Sequence, residues 1–375
     1  MDTDAVVTPP HGTGVVRLLP FRGISLAPRR IGGLSSVRAF TRPYRAVPDR
    51  LVRWERRGQV THDHRSAVYL HEYTAGGITV RGLVGALDLS RQAGSGPEVA
   101  VLPHEGVHTG QVDELAARML EMQINPAPIL LVHRGAADTR ALTADVLRRP
   151  PHLEFADRAQ QRHRIWAIRD PGELERIDAA LAGTRALIAD GHHRYAAYLR
   201  MQELRPGPAT DAGLAMLVDQ DDTPMFLGAI HRLFAGTTLG SLRTAAGTLG
   251  VRFEPAQRRA ALDALAPDTL VVTDGTDWAT LAPAAAVGPD RAVVEWLHED
   301  LVPALDRPPS GTAYLHAVDE VLHAVARRRG VAVLMPAPEF TEVLRISAER
   351  LLPEKATSFQ PKPSVGVLIR SLRDG

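Results

Sequence analysis

Ala186-Leu187-Ile188-Ala189 is an apolar run of strand length, Asp190-Gly191 is a turn, and His192 to Leu204 has the length and composition of a helix. A short apolar strand that turns on Asp-Gly straight into a helix is a compact strand–turn–helix unit. Upstream, a strand over 163–168 precedes Asp170-Pro171, a cap and first-turn proline for a helix over 172–182. Downstream, strands are expected over 213–218 and 226–231. Further out toward the N-terminus the pattern predicts a strand at 15–19, a helix over 47–59, strands at 66–73, 78–89 and 98–102, and a helix over 111–123 that stops before Asn125-Pro126. A strand at 129–133 and a helix over 138–148 complete that half. After residue 234 the reading gives helices at 237–248, 256–265, 314–328 and 338–349, strands at 269–273, 291–296 and 331–335, and a last strand at 365–369. Strands and helices mix without steady βαβ alternation, so the fold class is α+β, with mixed sheets and helices.

The chain has 375 residues, room for two domains. Residues 1–14 hold two prolines, two glycines, two aspartates and His11, with no basic segment followed by an apolar run, and read as a disordered tail. Residues 15–233 read as an α+β domain carrying the strand–turn–helix, and 234–375 as a second α+β portion whose C-terminal lysine segment is expected to return to the site. Hydrophobic residues are 45% and charged residues 23%, which excludes wholesale disorder. The formal net charge of +1 argues against a dedicated nucleic-acid binder. There is no cysteine, which excludes disulfides, thiolate zinc, iron–sulfur clusters and a cysteine nucleophile. No run of about 18 apolar residues suggests a membrane span, and no signal-peptide pattern opens the chain, so a cytoplasmic location is the default expectation.

The turn carries the chemistry. The first N–H groups of a helix have no intrahelical partner and sit at the positive end of its dipole. His192, His193 and Arg194 add protonatable or charged groups there, Gly191 lets a ligand approach the backbone, and Asp190 can cap the helix or hold an imidazole tautomer. Three such groups oppose the dipole, so stability alone would not select them. The arrangement predicts an anion site best suited to phosphate.

His104-Glu105-Gly106-Val107-His108 matches the H-E-x-x-H pattern of zinc proteases. That motif needs a helix, which places both histidines on one face. Pro103, Gly106 and Thr109-Gly110 make the segment a loop, and no metal is assigned to it. His104 and Glu105 are instead candidate catalytic groups, with Glu105 as a general base or magnesium ligand.

Only two of the 44 basic side chains are lysine, Lys355 and Lys362, and they fall in one segment, Leu352-Pro353-Glu354-Lys355-Ala356-Thr357-Ser358-Phe359-Gln360-Pro361-Lys362. In a chain that otherwise uses arginine, two neighbouring ammonium groups look retained for a reason. Lys355 is expected to stabilise charge developing in a transfer, with Thr357 and Lys362 contacting the phosphate.

Taken in order, Pro20-Phe21-Arg22-Gly23, Leu102-Pro103-His104-Glu105, Asn125 with Pro128-Ile129, His163-Arg164-Ile165-Trp166, Ile188 to Tyr195, and Lys355 to Phe359 with Pro361-Lys362 resemble the bacterial and archaeal family known as domain of unknown function 1015. More distantly, the D-G-H-H-R turn is similar to the phosphate-gripping turn of the ParB/sulfiredoxin-like superfamily, which includes kinases of free serine. That resemblance implies a nucleotide such as ATP or ADP, with magnesium, as cofactor and a small hydroxylated metabolite such as serine as acceptor. Sulfiredoxin chemistry is excluded because its cysteine is missing. Two departures stand out. Where the family usually reads P-P-Y-D-V, this chain has Arg42-Pro43-Tyr44-Arg45-Ala46, and Leu115 stands where an arginine is usual. The expected function is phosphoryl transfer or phosphate-ester hydrolysis. The alternative is a non-catalytic nucleotide-binding regulatory protein with a degenerate site, which the two departures favour.

Overall fold

The computed structural model describes residues 5–32, 47–90, 99–283, 287–288, 290–327 and 329–374. They form an α+β structure in two compact units, Met1–Met225 with Pro361–Gly375, and Phe226–Gln360.

The first unit is built on a ten-stranded mixed sheet. Its order across the sheet is Leu153–Ala156, Arg162–Ile168, Val68–Ala75, Ile78–Asp88, Ala212–Asp219, Ile129–His133, Ala186–Asp190, Val99–Leu102 and Gly12–Thr13, with Leu18–Leu19 also beside Ile78–Asp88. Two of these pairings are parallel, Ile129–His133 with Ala212–Asp219 and Ala186–Asp190 with Val99–Leu102. Ile129–His133 and Ala212–Asp219 are buried along their whole length, so they read as unbroken apolar runs and not as alternation. Helix His192–Leu204 covers part of this sheet and packs on helix Thr109–Met122. Its Tyr198 lies so close over Gly213 that a Cβ there would sit 2.2 Å from the ring, which accounts for glycine in the middle of that strand. Helix Pro171–Leu181 starts as read, with Asp170 accepting the Glu173 N–H at 3.1 Å and proline in the first turn.

A four-stranded sheet joins distant parts of the same unit in the order Ile124–Asn125, Ile369–Ser371, Gly23–Leu26, Val60–His62. Buried Arg370 fastens it by donating to Asn125 Oδ1 and to the Ala209 and Ala212 carbonyls. The C-terminal strand thus begins at Ile369, where Val365 was expected, because residues 365–368 form the turn that leads in. Near the N-terminus only Leu18–Leu19 of the expected 15–19 strand is paired. The stretch before it, read as a tail, carries two short strands, Val6–Val7 against Val107–His108 and Gly12–Thr13 against Val99–Val101.

The second unit holds a six-stranded antiparallel sheet, ordered Arg252–Ala256, Trp278–Ala282, Leu270–Thr273, Gly330–Leu334, His231–Ala235, Gly311–Leu315. Helix Val318–Arg327 packs Val321 and Val325 against Leu233, Val271, Trp278 and Leu334 in its core. Three expectations are corrected here. The single strand 226–231 is two, Phe226–Gly228 paired with Ser358–Gln360, and His231–Ala235 in the large sheet. The helix expected over 314–328 begins only at Val318, since Gly311–Leu315 is an edge strand paired antiparallel with His231–Ala235. Residues 291–296 are not a strand. Val293–Trp296 is helical and runs into a wider π-type turn, Leu297–Leu301. The β-branched pair Val293-Val294 favours a strand, but the Glu295 carboxylate accepts the Ala292 N–H at 2.7 Å and closes a helical first turn.

Candidate functional site

Strand Ala186–Asp190 delivers its last residue, Asp190, to the start of helix His192–Leu204. Gly191 makes the corner at φ 97° and ψ 31°, a left-handed conformation suited to glycine. A Cβ at Gly191 would also lie 2.9–3.1 Å from guanidinium atoms of Arg194, which folds back over the turn. Arg194 Nη2 donates to Asp190 Oδ2 at 2.5 Å and Nη1 to the Pro128 carbonyl at 2.5 Å. Lys362, from the C-terminal stretch of the same unit, donates its ammonium to Asp190 Oδ1. Burial pushes the Asp190 carboxyl up, but the charges and hydrogen bonds of Arg194 and Lys362 outweigh it and hold the group below its usual value. One carboxylate therefore answers two cations, leaving a positive excess beside a helix N-terminus.

Tyr73 closes one side. Its hydroxyl donates to the Pro361 carbonyl at 2.7 Å, and burial together with the Asp190 charge raises its pKa far above the ordinary phenol value. Tyr195, next to Arg194, points the other way and donates to the Pro10 carbonyl at 3.0 Å.

Residues 104–106 are a loop followed by the short strand Val107–His108, and helix Thr109–Met122 starts directly after it. Both imidazoles of the turn grip this loop. The His104 N–H donates to His192 Nε2 at 3.4 Å and the His108 N–H to His193 Nε2 at 3.1 Å. A ring nitrogen that accepts an N–H must carry a lone pair, so in this arrangement His192 and His193 are neutral with the proton on Nδ1. The rings also pair: His104 stands edge-on to His192 at 4.5 Å between centroids, and His108 stacks on His193 at 6.0 Å. His104 is fully buried. Burial pushes its pKa down to about 3, against a hydrogen bond with the Ile188 backbone that pulls upward. Glu105 is partly exposed on the loop between.

The site residues expected from sequence thus divide. His104, Glu105, Asp190, Gly191, His192, His193, Arg194 and Lys362 belong to the first unit, and the hydrogen bonds above link most of them. Lys355 and Thr357 belong to the second unit. There Lys355 has φ 58°, rare for a residue with a side chain, and its carbonyl accepts from Nη2 of the fully buried Arg232 at 2.9 Å. Leu115 is half-buried on helix Thr109–Met122, and Arg45 lies outside the described residues. Among the described residues no cluster of three or more histidine or acidic side chains could hold a metal ion. Tyr73, the Pro128 carbonyl and Gln161, which brackets the Lys362 backbone, were not legible in sequence. Each reaches the turn from a strand or loop far away along the chain. His108 was visible in the rejected zinc pattern, and its histidine spacing was the one available signal.

No curated protein matches the chain. Among solved structures, a free serine kinase in complex with AMP is 15% identical, with a TM-score of 0.38 over 73% of this chain and 89% of the other. SbnI with C-terminal truncation from Staphylococcus aureus is 10% identical, with a TM-score of 0.42 over 73% and 84%. A conserved hypothetical protein from Pyrococcus furiosus is 13% identical, with a TM-score of 0.38 over 73% and 93%. A family model, by contrast, matches residues 26–306, most of the chain and the whole strand–turn–helix with its histidine loop. The chain belongs to the family described as protein of unknown function, DUF1015.

Proposed function

We propose that this protein binds a phosphate-bearing small molecule, a nucleotide such as ATP or ADP, at the Asp190–Arg194 turn, and transfers a phosphoryl group from it to the hydroxyl of a small metabolite such as serine, or hydrolyses a phosphate ester of such a metabolite with water. The observation that carries the reading is the convergence of Arg194 and Lys362 on Asp190 at the start of helix His192–Leu204. An incoming phosphate offers those two cations more oxygens than one carboxylate does, and the helix N-terminus favours its charge. His192 and His193, neutral and occupied by loop N–H groups, hold the Glu105 loop over the turn. Full burial gives His104 the same supporting part. Glu105, partly exposed on that loop, is assigned as general base or magnesium ligand. The nucleotide identity comes from the sequence resemblance of the D-G-H-H-R turn, and serine from the same source. For Lys355 and Thr357 the expectation of charge stabilisation and phosphate contact is a separate proposal, tested by Lys355→Ala. A cytoplasmic location and a ParB/sulfiredoxin-like ancestry of the turn belong to this reading too. Among the described residues no helix is long and apolar enough to cross a membrane.

The test is thermal unfolding of wild type and Arg194→Ala with nucleotides, with and without magnesium. A ligand at 100 times its dissociation constant adds about 2.7 kcal/mol, so wild type should melt several degrees higher and Arg194→Ala should not respond. A screen in which no nucleotide moves the wild-type transition overturns the nucleotide reading. The regulatory alternative is favoured by the Arg45 and Leu115 departures in the sequence. Binding without turnover, unaffected by Glu105→Gln, would establish it.

A further inference from the structure

Lys362 sits on an irregular segment after Pro361, with its side chain about half exposed, yet its ammonium is placed on Asp190. A flexible four-carbon stem on such a segment needs its backbone held if the charge is to be pre-positioned. The holding group is Gln161. Its Nε2 donates to the Lys362 carbonyl at 3.0 Å, and its Oε1 accepts the Ser364 N–H at 3.1 Å. One primary amide thus ties the Lys362 carbonyl and the Ser364 N–H, a two-bond bracket across Pro363 that fixes the backbone on the C-terminal side of Lys362. The Tyr73 hydroxyl adds a third bond, to the Pro361 carbonyl.

Gln161 is itself fixed from behind. It closes a tight turn in which the Asp157 N–H donates to the Gln161 carbonyl at 2.9 Å and Gln160 takes φ 63°. Asp157 Oδ1 accepts the Gln161 N–H at 2.9 Å. The other oxygen of Asp157, Oδ2, lies 3.2 Å from His163 Nε2, and His163 Nδ1 lies 3.0 Å from His71 Nε2. These three side chains are buried. An acidic oxygen receiving one imidazole N–H leaves that ring's other nitrogen to accept from the next, so Asp157, His163 and His71 form a directed chain that immobilises the turn. Surface exposure would have allowed any polar residue at position 161, whereas this geometry uses both the donor and the acceptor of a primary amide.

We propose that Gln161 is a positioning residue: it holds the backbone of Lys362 so that the ammonium is pre-set at the Asp190–Arg194 turn. The proposal rests on the reading of that turn as an anion site, and its test separates the two. Because Lys355 and Lys362 are the chain's only lysines, protein labelled with 13C at the lysine ε-carbon gives two signals, assigned with Lys362→Ala. In Gln161→Ala the Lys362 signal should move to the shift and linewidth of a free lysine while the Lys355 signal and the melting temperature stay in place. Gln161→Glu, which keeps the acceptor for Ser364 and loses the donor to Lys362, should move it part of the way. A Lys362 signal unchanged in both variants overturns the proposal. In the second arm, inorganic phosphate and ADP are titrated into wild type, Gln161→Ala, Lys362→Ala and the double variant. Each single variant should weaken binding about tenfold and the double variant no further, since both remove one interaction. Losses that multiply in the double variant also overturn the positioning role. Phosphate and ADP that leave the wild-type Lys362 signal unmoved overturn the anion-site reading, while the first arm still decides the part played by Gln161.

Discussion

At Gly191 two demands meet in one residue. The backbone turns left-handed there, and the Arg194 guanidinium lies where a side chain would begin. Gly191→Ala should destabilise the first unit by about 1–3 kcal/mol, the usual strain of a side-chain residue in such a conformation. It should also push Arg194 off Asp190, because the contact at 2.9 Å has to open. Urea unfolding checks the first effect and the phosphate titration the second. Unaltered stability and affinity would mean that the corner relaxes and that neither demand constrains it. The paired imidazoles follow a similar logic. His192 and His193 look like phosphate ligands in the sequence because they are polar and open a helix. One ring nitrogen of each, Nε2, instead accepts the N–H of His104 or His108, so the permanent positive charge at the turn comes from Arg194 and Lys362.

Elements in this chain are often settled by a single capping group. The helix Val293–Trp296 exists because Glu295 reaches back to the Ala292 N–H, and Glu295 itself is buried and clamped by Arg350 at 2.8 and 3.1 Å. Removing the arginine leaves a buried carboxylate without its counter-charge. Arg350→Ala should therefore destabilise the second unit by about 2–3 kcal/mol, a value at the low end for broken buried pairs because the arginine is partly solvated. Arg350→Ala paired with Glu295→Gln should recover part of that loss. Urea denaturation followed by near-ultraviolet circular dichroism would report it, and equal stability of the single variant and wild type would show that the clamp contributes nothing. Helix Pro171–Leu181, by comparison, needed no tertiary partner to be read, since Asp170, Pro171 and the apolar spacing all lie within it.

Across the whole molecule the buried histidines set the response to acid. Burial pushes His104 down to about 3. It does the same to His231 and His298, both to about 4, with the Arg232 charge adding to the effect. His71, His133 and His163 are lowered as well, again chiefly by burial. In the unfolded chain these rings bind a proton near pH 6.5. The folded state binds it only at lower pH, so the stability they contribute is complete above pH 6.5 and is lost as the pH falls toward 4. Each histidine in that window weakens the fold by about 1.4 kcal/mol per pH unit. Urea midpoints should therefore fall steeply between pH 7 and pH 5, before carboxylates begin to titrate. A flat profile over that range would mean that the rings are charged in the folded protein.

Legibility at this scale followed the range of the forces. Strand Ala186–Asp190 with helix His192–Leu204, and strand Ile129–His133, could be read because apolar runs, turn residues and caps act within a few residues of one another. The strand Gly311–Leu315 and the turn of helix Val293–Trp296 could not, because a sheet neighbour and a buried ion pair override local propensity. The same holds at the candidate site. The sequence by itself determined the α+β class, the strand–turn–helix and the identity of the D-G-H-H-R residues, all of which depend on local backbone preference and side-chain chemistry. Only the tertiary structure decided that Lys362 meets Asp190, that Gln161 brackets it and that the histidines hold the 104–108 loop. Those pairings span up to 203 residues of chain, and only the folding of the sheets brings their partners within hydrogen-bond reach.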